Sequence, residues 1–339
     1  MSNHSILISL FCLIFSIGMN TSNAQNIASH KQTNTLIQPP FIKKGDTIAI
    51  VAPSGILKNR TQEIKKAKAL LNSWGLHVVL GKHLFNQNNH FAGTDYERYE
   101  DLQSAMDDKS IKAIWCARGG YGTVRVLDKL NYSSFKKNPK WIIGYSDITA
   151  LHNQLHIEGF ESVHAMMCSS LQDNFEEIEQ TIATFKDALF GEALNYTLKG
   201  SDYNKPGTIT APIVGGNLTV LQTMLGSKTS LETSGKILFI EEIGEYLYSI
   251  DRMIYALKRS GYFEKCNGLI IGDISKIKEN STPFGQTYEE IILEATKEYN
   301  FPILFGFPSG HEDTNKAIFL GREIKMKIGE KKSTVEFRE

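Results

Sequence analysis

The strongest constraint on this chain is an alternation of two residue patterns in its first half. A short, wholly apolar run ends in small residues, and a helix-period pattern follows. Thr47 to Val51 is such a run and closes on Ala52-Pro53-Ser54-Gly55. Ile64, Ala67, Leu70 and Leu71 then fall on one helical face, and Gly75 stops the pattern. His77–Leu80 is the next run. Thr94-Asp95-Tyr96-Glu97 has the form of a capping box, opening a helix to about Asp107. Ala113–Ala117 leads into Arg118-Gly119-Gly120-Tyr121-Gly122, and Val124, Leu127 and Leu130 mark another helix. Trp141–Tyr145 leads into Ser146-Asp147 and a helix over 147–158. Strands apolar on both faces and alternating with helices form a parallel sheet covered on both sides. Ligands collect at the C-terminal strand ends of such sheets. The topology therefore predicts that the loops 52–55, 118–122 and 144–147 converge.

The first residues read as an export signal over 1–24. Ile6 to Ile17 is its apolar core, and Ser22 and Ala24 precede the expected cut at Gln25. The core is too short for a membrane span, so no stable membrane insertion is expected, and the location is the periplasm if the cell is Gram-negative. Residues 25–40 are a polar, flexible spacer closed by Pro39-Pro40. Basic and acidic residues balance at 37 each, which leaves no electrostatic footprint for nucleic acid. Cys116, Cys168 and Cys266 remain after the signal, without metal-ligand spacing and with room for one disulfide.

The folded body divides into 41–169, a less regular linker at 170–206, and a second part at 207–339. The second part opens with Thr208–Val214 and Gly215-Gly216-Asn217. Lys236–Ile240 runs into Glu241-Glu242-Ile243-Gly244-Glu245. The chain ends in the short alternating runs Ala317–Leu320, Glu323–Ile328 and Ser333–Phe337.

The sharp turn Gly144-Tyr145-Ser146-Asp147 between strand and helix is where a hydrolase exposes a nucleophilic serine, although Ile148 stands where G-x-S-x-G has its second glycine. Ser and Asp are equally ordinary helix N-caps. A serine nucleophile needs a base and a group to orient it. Among nine histidines, His311 follows a buried-type strand and Gly310, and His164 near a strand end is its rival. His152 and His156 share a helical face suited to packing or solvent. Glu241 ends an apolar strand, where a carboxylate needs a partner, and ranks ahead of Glu242 and Glu245. The glycine-rich 118–122 turn offers free N–H groups to an oxyanion, a phosphate or a carboxylate, or is simply a tight turn. Ser-x-x-Lys occurs at Ser133, Ser134 and Ser275 without a Lys-Thr-Gly partner.

Taken together, Val51-Ala52-Pro53-Ser54-Gly55, Phe91-Ala92-Gly93-Thr94, Arg118-Gly119-Gly120-Tyr121-Gly122, Gly144-Tyr145-Ser146-Asp147, Gly215-Gly216-Asn217-Leu218, Glu241-Glu242-Ile243-Gly244-Glu245, Arg252-Met253 and Gly310-His311 resemble the LD-carboxypeptidase family. The family, also called murein tetrapeptide carboxypeptidases, includes microcin immunity proteins. The one departure is Glu242, where the family usually has Asp. The resemblance implies an N-terminal parallel-sheet, three-layer nucleophile domain and a β-rich C-terminal α/β domain, with the active site between them. It implies Ser146 as nucleophile, Glu241 as orienting carboxylate and His311 as base. The backbone N–H of Asp147 and of Gly119 or Gly120 are the oxyanion-hole candidates, and Arg118 and Tyr121 the substrate-binding ones. It further implies a homodimer, no metal or other cofactor, and release of terminal D-Ala from murein tetrapeptides. The alternatives are a hydrolase of peptidyl or aminoacyl nucleotides and an inactive murein-binding protein.

Overall fold

The computed structural model describes residues 36–171 and 176–338. The signal segment and most of the spacer lie outside the described residues. In chain order the elements are β1 (Thr47–Val51), α1 (Thr61–Ser73), β2 (His77–Leu80), α2 (Asp95–Asp107), β3 (Ile111–Cys116), α3 (Val124–Leu127), α4 (Ser133–Lys137), β4 (Trp141–Gly144), α5 (Thr149–Glu158), β5 (Ser162–His164) and α6 (Glu179–Phe190). There follow β6 (Asn195–Lys199), β7 (Gly207–Asn217), α7 (Leu218–Thr223), β8 (Ile237–Ile243), α8 (Leu247–Arg259), β9 (Gly268–Ser275), α9 (Tyr288–Ala295), β10 (Ile303–Leu304), β11 (Ile318–Leu320), β12 (Glu323–Ile328) and β13 (Lys332–Phe337). Both α6 and β6 fall in the stretch read from sequence as linker.

The first sheet has the order β11-β5-β4-β3-β1-β2. Strands β1 to β5 pair in parallel, as the alternation of apolar runs and helices predicts. Its edge strand β11 is antiparallel to β5 and arrives from far along the chain, with Ile318 opposite His164. The second sheet has the order β10-β9-β8-β7-β12-β13-β6. Strand β7 carries both halves of it. Residues 207–212 pair antiparallel with β12, and residues 213–217 pair parallel with β8.

One apolar core joins the two sheets. Trp115, Trp141 and Phe185 belong to it on one side, and Phe239, Phe307 and Met326 on the other. A second core, with Leu102, Ile114, Ile142 and Leu151, fills the opposite face of the first sheet under α2 and α5. A third, with Leu238, Ile240, Ile254 and Ile292, lies under α8 and α9. Strand β8 shows the two-residue period that decides which carboxylate faces where. Ile237 and Phe239 point into the shared core, while Leu238 and Ile240 point to the helices. Glu241 continues the first row and Glu242 the second.

Cys116, Cys168 and Cys266 are buried free thiols, so no disulfide joins them. Among the described residues no helix is long and apolar enough to cross a membrane.

Candidate active site

The turn after β4 holds Ser146 at φ 62°, in the left-handed region that a residue with a Cβ occupies only under constraint. Tyr145 before it is extended, and Ser146–Ile148 forms a 3-10 turn that feeds α5. Gly144 is packed so closely that a Cβ there would lie 2.9 Å from Ile148 Cγ1. Ser146 is half-buried while Asp147 turns inward and is buried.

The three loops predicted to converge do so. Asp147 Oδ2 accepts hydrogen bonds from the Ser54 hydroxyl, out of the loop after β1, and from the Thr123 N–H at 2.9 Å, out of the loop after β3. Gly55 N–H donates to Gly119 O at 3.1 Å. Gly119 lies against the serine: a Cβ built on it would sit 3.1 Å from Ser146 Cβ and 3.2 Å from Oγ. Gly120 has φ 109°, and a Cβ on it would lie 3.4 Å from Gly55 Cα. Beneath these loops runs Arg98 of α2, 1% exposed. Its Nη1 donates to Pro53 O at 2.6 Å and to Gly122 O at 2.7 Å, and Nη2 pairs with Asp95. The capping box on Thr94 forms as its sequence predicts, with both reciprocal bonds present, and sets the start of that helix.

The other half of the site comes from the second sheet. Glu241 is fully buried at the end of β8, and its Oε2 lies 2.6 Å from His311 Nδ1. His311 follows Gly310, whose φ of 148° and tight fit exclude a side chain. A Cβ there would be 2.9 Å from Asp273 Cβ and 3.2 Å from Glu241 Cβ. Asn315 Oδ1 accepts from Gly310 N–H at 3.2 Å and from the Ser309 hydroxyl at 3.1 Å, pinning the turn. Asp273, at the end of β9, accepts the Glu312 N–H at 3.3 Å. Burial pulls the His311 pKa down. The charge and hydrogen bond of Glu241, with Glu242 and Asp273 adding to them, outweigh burial and hold it above the ordinary value. Burial pushes the Asp273 carboxyl up to about 6.

The two halves meet at Tyr145, whose ring centre lies 4.9 Å from that of His311 in an edge-on arrangement. The nucleophile candidate is therefore one residue from a ring in contact with the base candidate. Among the described residues no hydrogen bond joins Ser146 to His311. The halves are also tied through Thr149, whose Oγ1 accepts the Asn217 N–H at 3.0 Å.

The rival residues are placed elsewhere. His164 is fully buried between Tyr145 and Phe239, with ring centres 5.7 and 5.1 Å away, and burial holds its pKa well below the ordinary value. His152 Nε2 donates to Gly144 O at 2.9 Å beneath the strand. Glu242 is consumed by structure. Its Oε2 accepts from Thr219 N–H and hydroxyl, both at 2.7 Å, and Oε1 from Asn217 Nδ2 at 3.1 Å. Arg118 is half-buried and donates to Ile56 O; among the described residues it has no carboxylate partner. Tyr121 is 49% exposed and rests 5.8 Å from Phe91. A cavity of about 740 Å³ opens beside the site, with Arg60, Glu63, Ser170 and Asp313 in its wall.

Sequence reasoning singled out neither Arg98, Ser54, Thr149 nor Asp273 for a role. The Pro53-Ser54-Gly55 and Phe91–Thr94 motifs flag the neighbourhood of the first two. Nothing local marks the others, because Thr149 and Asp273 meet their partners Asn217 and Glu312 at 68 and 39 positions' remove, visible only in three dimensions.

Residues 48–165 match the LD-carboxypeptidase N-terminal domain and residues 210–326 the LD-carboxypeptidase C-terminal domain. The "Probable murein peptide carboxypeptidase" of Bacillus subtilis is 34% identical over 306 residues, covering 88% of this chain and 94% of the relative. The "Murein tetrapeptide carboxypeptidase" of Pseudomonas aeruginosa is 27% identical over 284 residues, covering 80% and 89%. The crystal structure of muramoyltetrapeptide carboxypeptidase from Oxalobacter formigenes superposes with a TM-score of 0.78 at 26% identity, over 86% of this chain and 99% of that one. MccF in complex with glutamyl sulfamoyl guanosine shares the fold, with a TM-score of 0.80 at 22% identity, over 90% and 99%. On both domain matches, which lie either side of the contact between Tyr145 and His311, the chain belongs to the LD-carboxypeptidase family of serine peptidases and is an enzyme of that class.

Proposed function

We propose that this enzyme cuts the L,D-peptide bond of murein tetrapeptides and releases the terminal D-Ala, with Ser146, His311 and Glu241 as its triad. The observation that carries the reading is the 2.6 Å contact of His311 Nδ1 with fully buried Glu241, on a ring that touches the residue before Ser146. Glu241 holds Nδ1 protonated, which leaves Nε2 as the acceptor for the serine proton. Ser146 Oγ attacks the carbonyl carbon of the scissile bond as Nε2 takes its proton. The oxyanion is met by the Asp147 N–H and by the N–H of Gly119 or Gly120. His311 then protonates the leaving amine of D-Ala, and water, deprotonated by the same imidazole, hydrolyses the acyl-enzyme.

Arg118 is the proposed partner of the substrate's terminal carboxylate, since it is a half-buried cation with only a carbonyl bound. Tyr121 is the proposed rim contact. The cavity beside the site is the proposed seat for the rest of the peptide, with Arg60 for a carboxylate and Asp313 for an amine. Export to the periplasm, the division into domains at 41–169 and 207–339, and a homodimer belong to the same proposal.

Incubation with murein tetrapeptide, followed by mass spectrometry for free D-Ala, tests it. Wild type releases D-Ala, and Ser146→Ala lowers the rate on the order of 10⁴-fold or more. Tight binding without turnover would make the protein a murein-binding module. Turnover of an aminoacyl sulfamoyl nucleotide alone would place it with the immunity proteins.

A further inference from the structure

Asp147 is 3% exposed, yet among the described residues no cation forms an ion pair with it. A buried carboxylate is expensive unless hydrogen bonds stabilise its charge. If Asp147 served only as a cap for the helix that follows, a neutral Asn or Ser would do as well. Its side chain instead reaches away from that helix. One oxygen takes the hydroxyl of fully buried Ser54 and the N–H of Thr123. These two donors belong to different loops, and both loops border Gly119. On one side Gly55, next to Ser54, donates its N–H to Gly119 O at 3.1 Å. That bond fixes the plane of the Gly119–Gly120 peptide, because the unit is rigid and trans. On the other side Thr123 ends the glycine-rich turn, and Arg98 holds the carbonyl of Gly122 at 2.7 Å and that of Pro53 at 2.6 Å. Gly120 and Gly122 both have positive φ, 109° and 135°, the backbone region open to glycine. Charge-assisted bonds to a carboxylate are about twice as strong as neutral ones.

We propose that the Asp147 carboxylate is a positioning residue: by tying Ser54 and Thr123 to the residue after Ser146, it holds the Gly119–Gly120 peptide at the serine hydroxyl as a preformed oxyanion hole. This rests on the reading of Ser146 as nucleophile. The Asp147 N–H and its carboxylate then serve the same end from one residue.

The test compares wild type, Asp147→Asn and Ser54→Ala, each confirmed folded by circular dichroism. Asn keeps the shape but offers a neutral acceptor where two donors converge. Asp147→Asn lowers kcat for D-Ala release ~10- to 100-fold with KM within threefold, since the loss is confined to the transition state. Ser54→Ala loses one tie and gives a smaller fall, roughly 3- to 10-fold. Each variant weakens inhibition by a peptide boronic acid, a tetrahedral mimic on the serine, by the same factor as kcat/KM falls. The pH midpoint of the acid limb stays where wild type has it. Wild-type kcat in Asp147→Asn, a loss that does not track boronate affinity, or a shifted acid limb each overturns the proposal. The rate at which a fluorophosphonate labels Ser146 separates this outcome from failure of the substrate assignment. Labelling slowed by Asp147→Asn in a protein that releases no D-Ala leaves the tie standing and the substrate wrong. Equal labelling in both proteins removes the tie, whatever the substrate.

Discussion

At the scale of single residues, the pair Glu241–His311 makes the sharpest demand. The carboxylate favours the imidazolium, so the His311 pKa stands above the ordinary value against the pull of burial. As the proposed base, His311 must be neutral to accept a proton, so kcat/KM is expected to rise with pH through that pKa. Replacing Glu241 with Gln removes the charge and leaves burial in command. The ascending limb of kcat/KM then moves to lower pH, while the plateau falls on the order of 100- to 10 000-fold through loss of ring orientation. An unmoved or upward-moved limb in Glu241→Gln contradicts this electrostatic account. That Glu241 needs a partner was legible, because it ends an apolar strand; the structure supplies His311. Asp273 was not legible. It gains its place only because β9 carries one extra residue where it passes Glu241, which no one-dimensional pattern shows.

Among elements, the contact that couples the two sheets at the site is the end of β7 against the start of α5. Gly216 has φ 141°, and a Cβ on it would lie 2.4 Å from Thr149 Oγ1, the atom that accepts the Asn217 N–H. Gly216→Ala therefore meets both backbone strain and a clash. It should lower stability by about 1–3 kcal/mol. Urea denaturation reads that loss, and D-Ala release should fall with it because α5 starts at the turn of Ser146, the proposed nucleophile. Combined with Thr149→Ala the loss is less than additive, since both act on one contact; strict additivity shows that the two do not communicate. Sequence marks β1 to β4 because each is an apolar run closed or followed within a few residues by glycine or proline; it marks neither β5, which lacks such a stop, nor the return of β11 to this sheet. It did less well at β6, which hides in a polar stretch as an edge strand, with Asn195, Thr197 and Lys199 exposed.

For the molecule as a whole, burial of neutral histidines sets the acid limit. His152 is 2% exposed, and burial lowers its pKa to about 4; His164 is lowered too. Below pH 6.5 the unfolded chain binds protons at these rings that the folded chain refuses. Stability therefore falls as the pH drops from about 7 toward 4, and His152 alone accounts for about 2 kcal/mol of loss at pH 5. Denaturant midpoints measured between pH 7.5 and 5 should decline, and His152→Gln should flatten the decline. A midpoint that rises on acidification would show that other groups dominate. The placement of β11 has a different kind of consequence. Ile318–Leu320 seals the flank of β5, so the first sheet acquires its last strand only after β6 to β10 of the second sheet have been synthesised. A nascent chain on the ribosome thus carries an unsealed sheet edge throughout the synthesis of β6 to β10, and that edge closes only after His311 has been made.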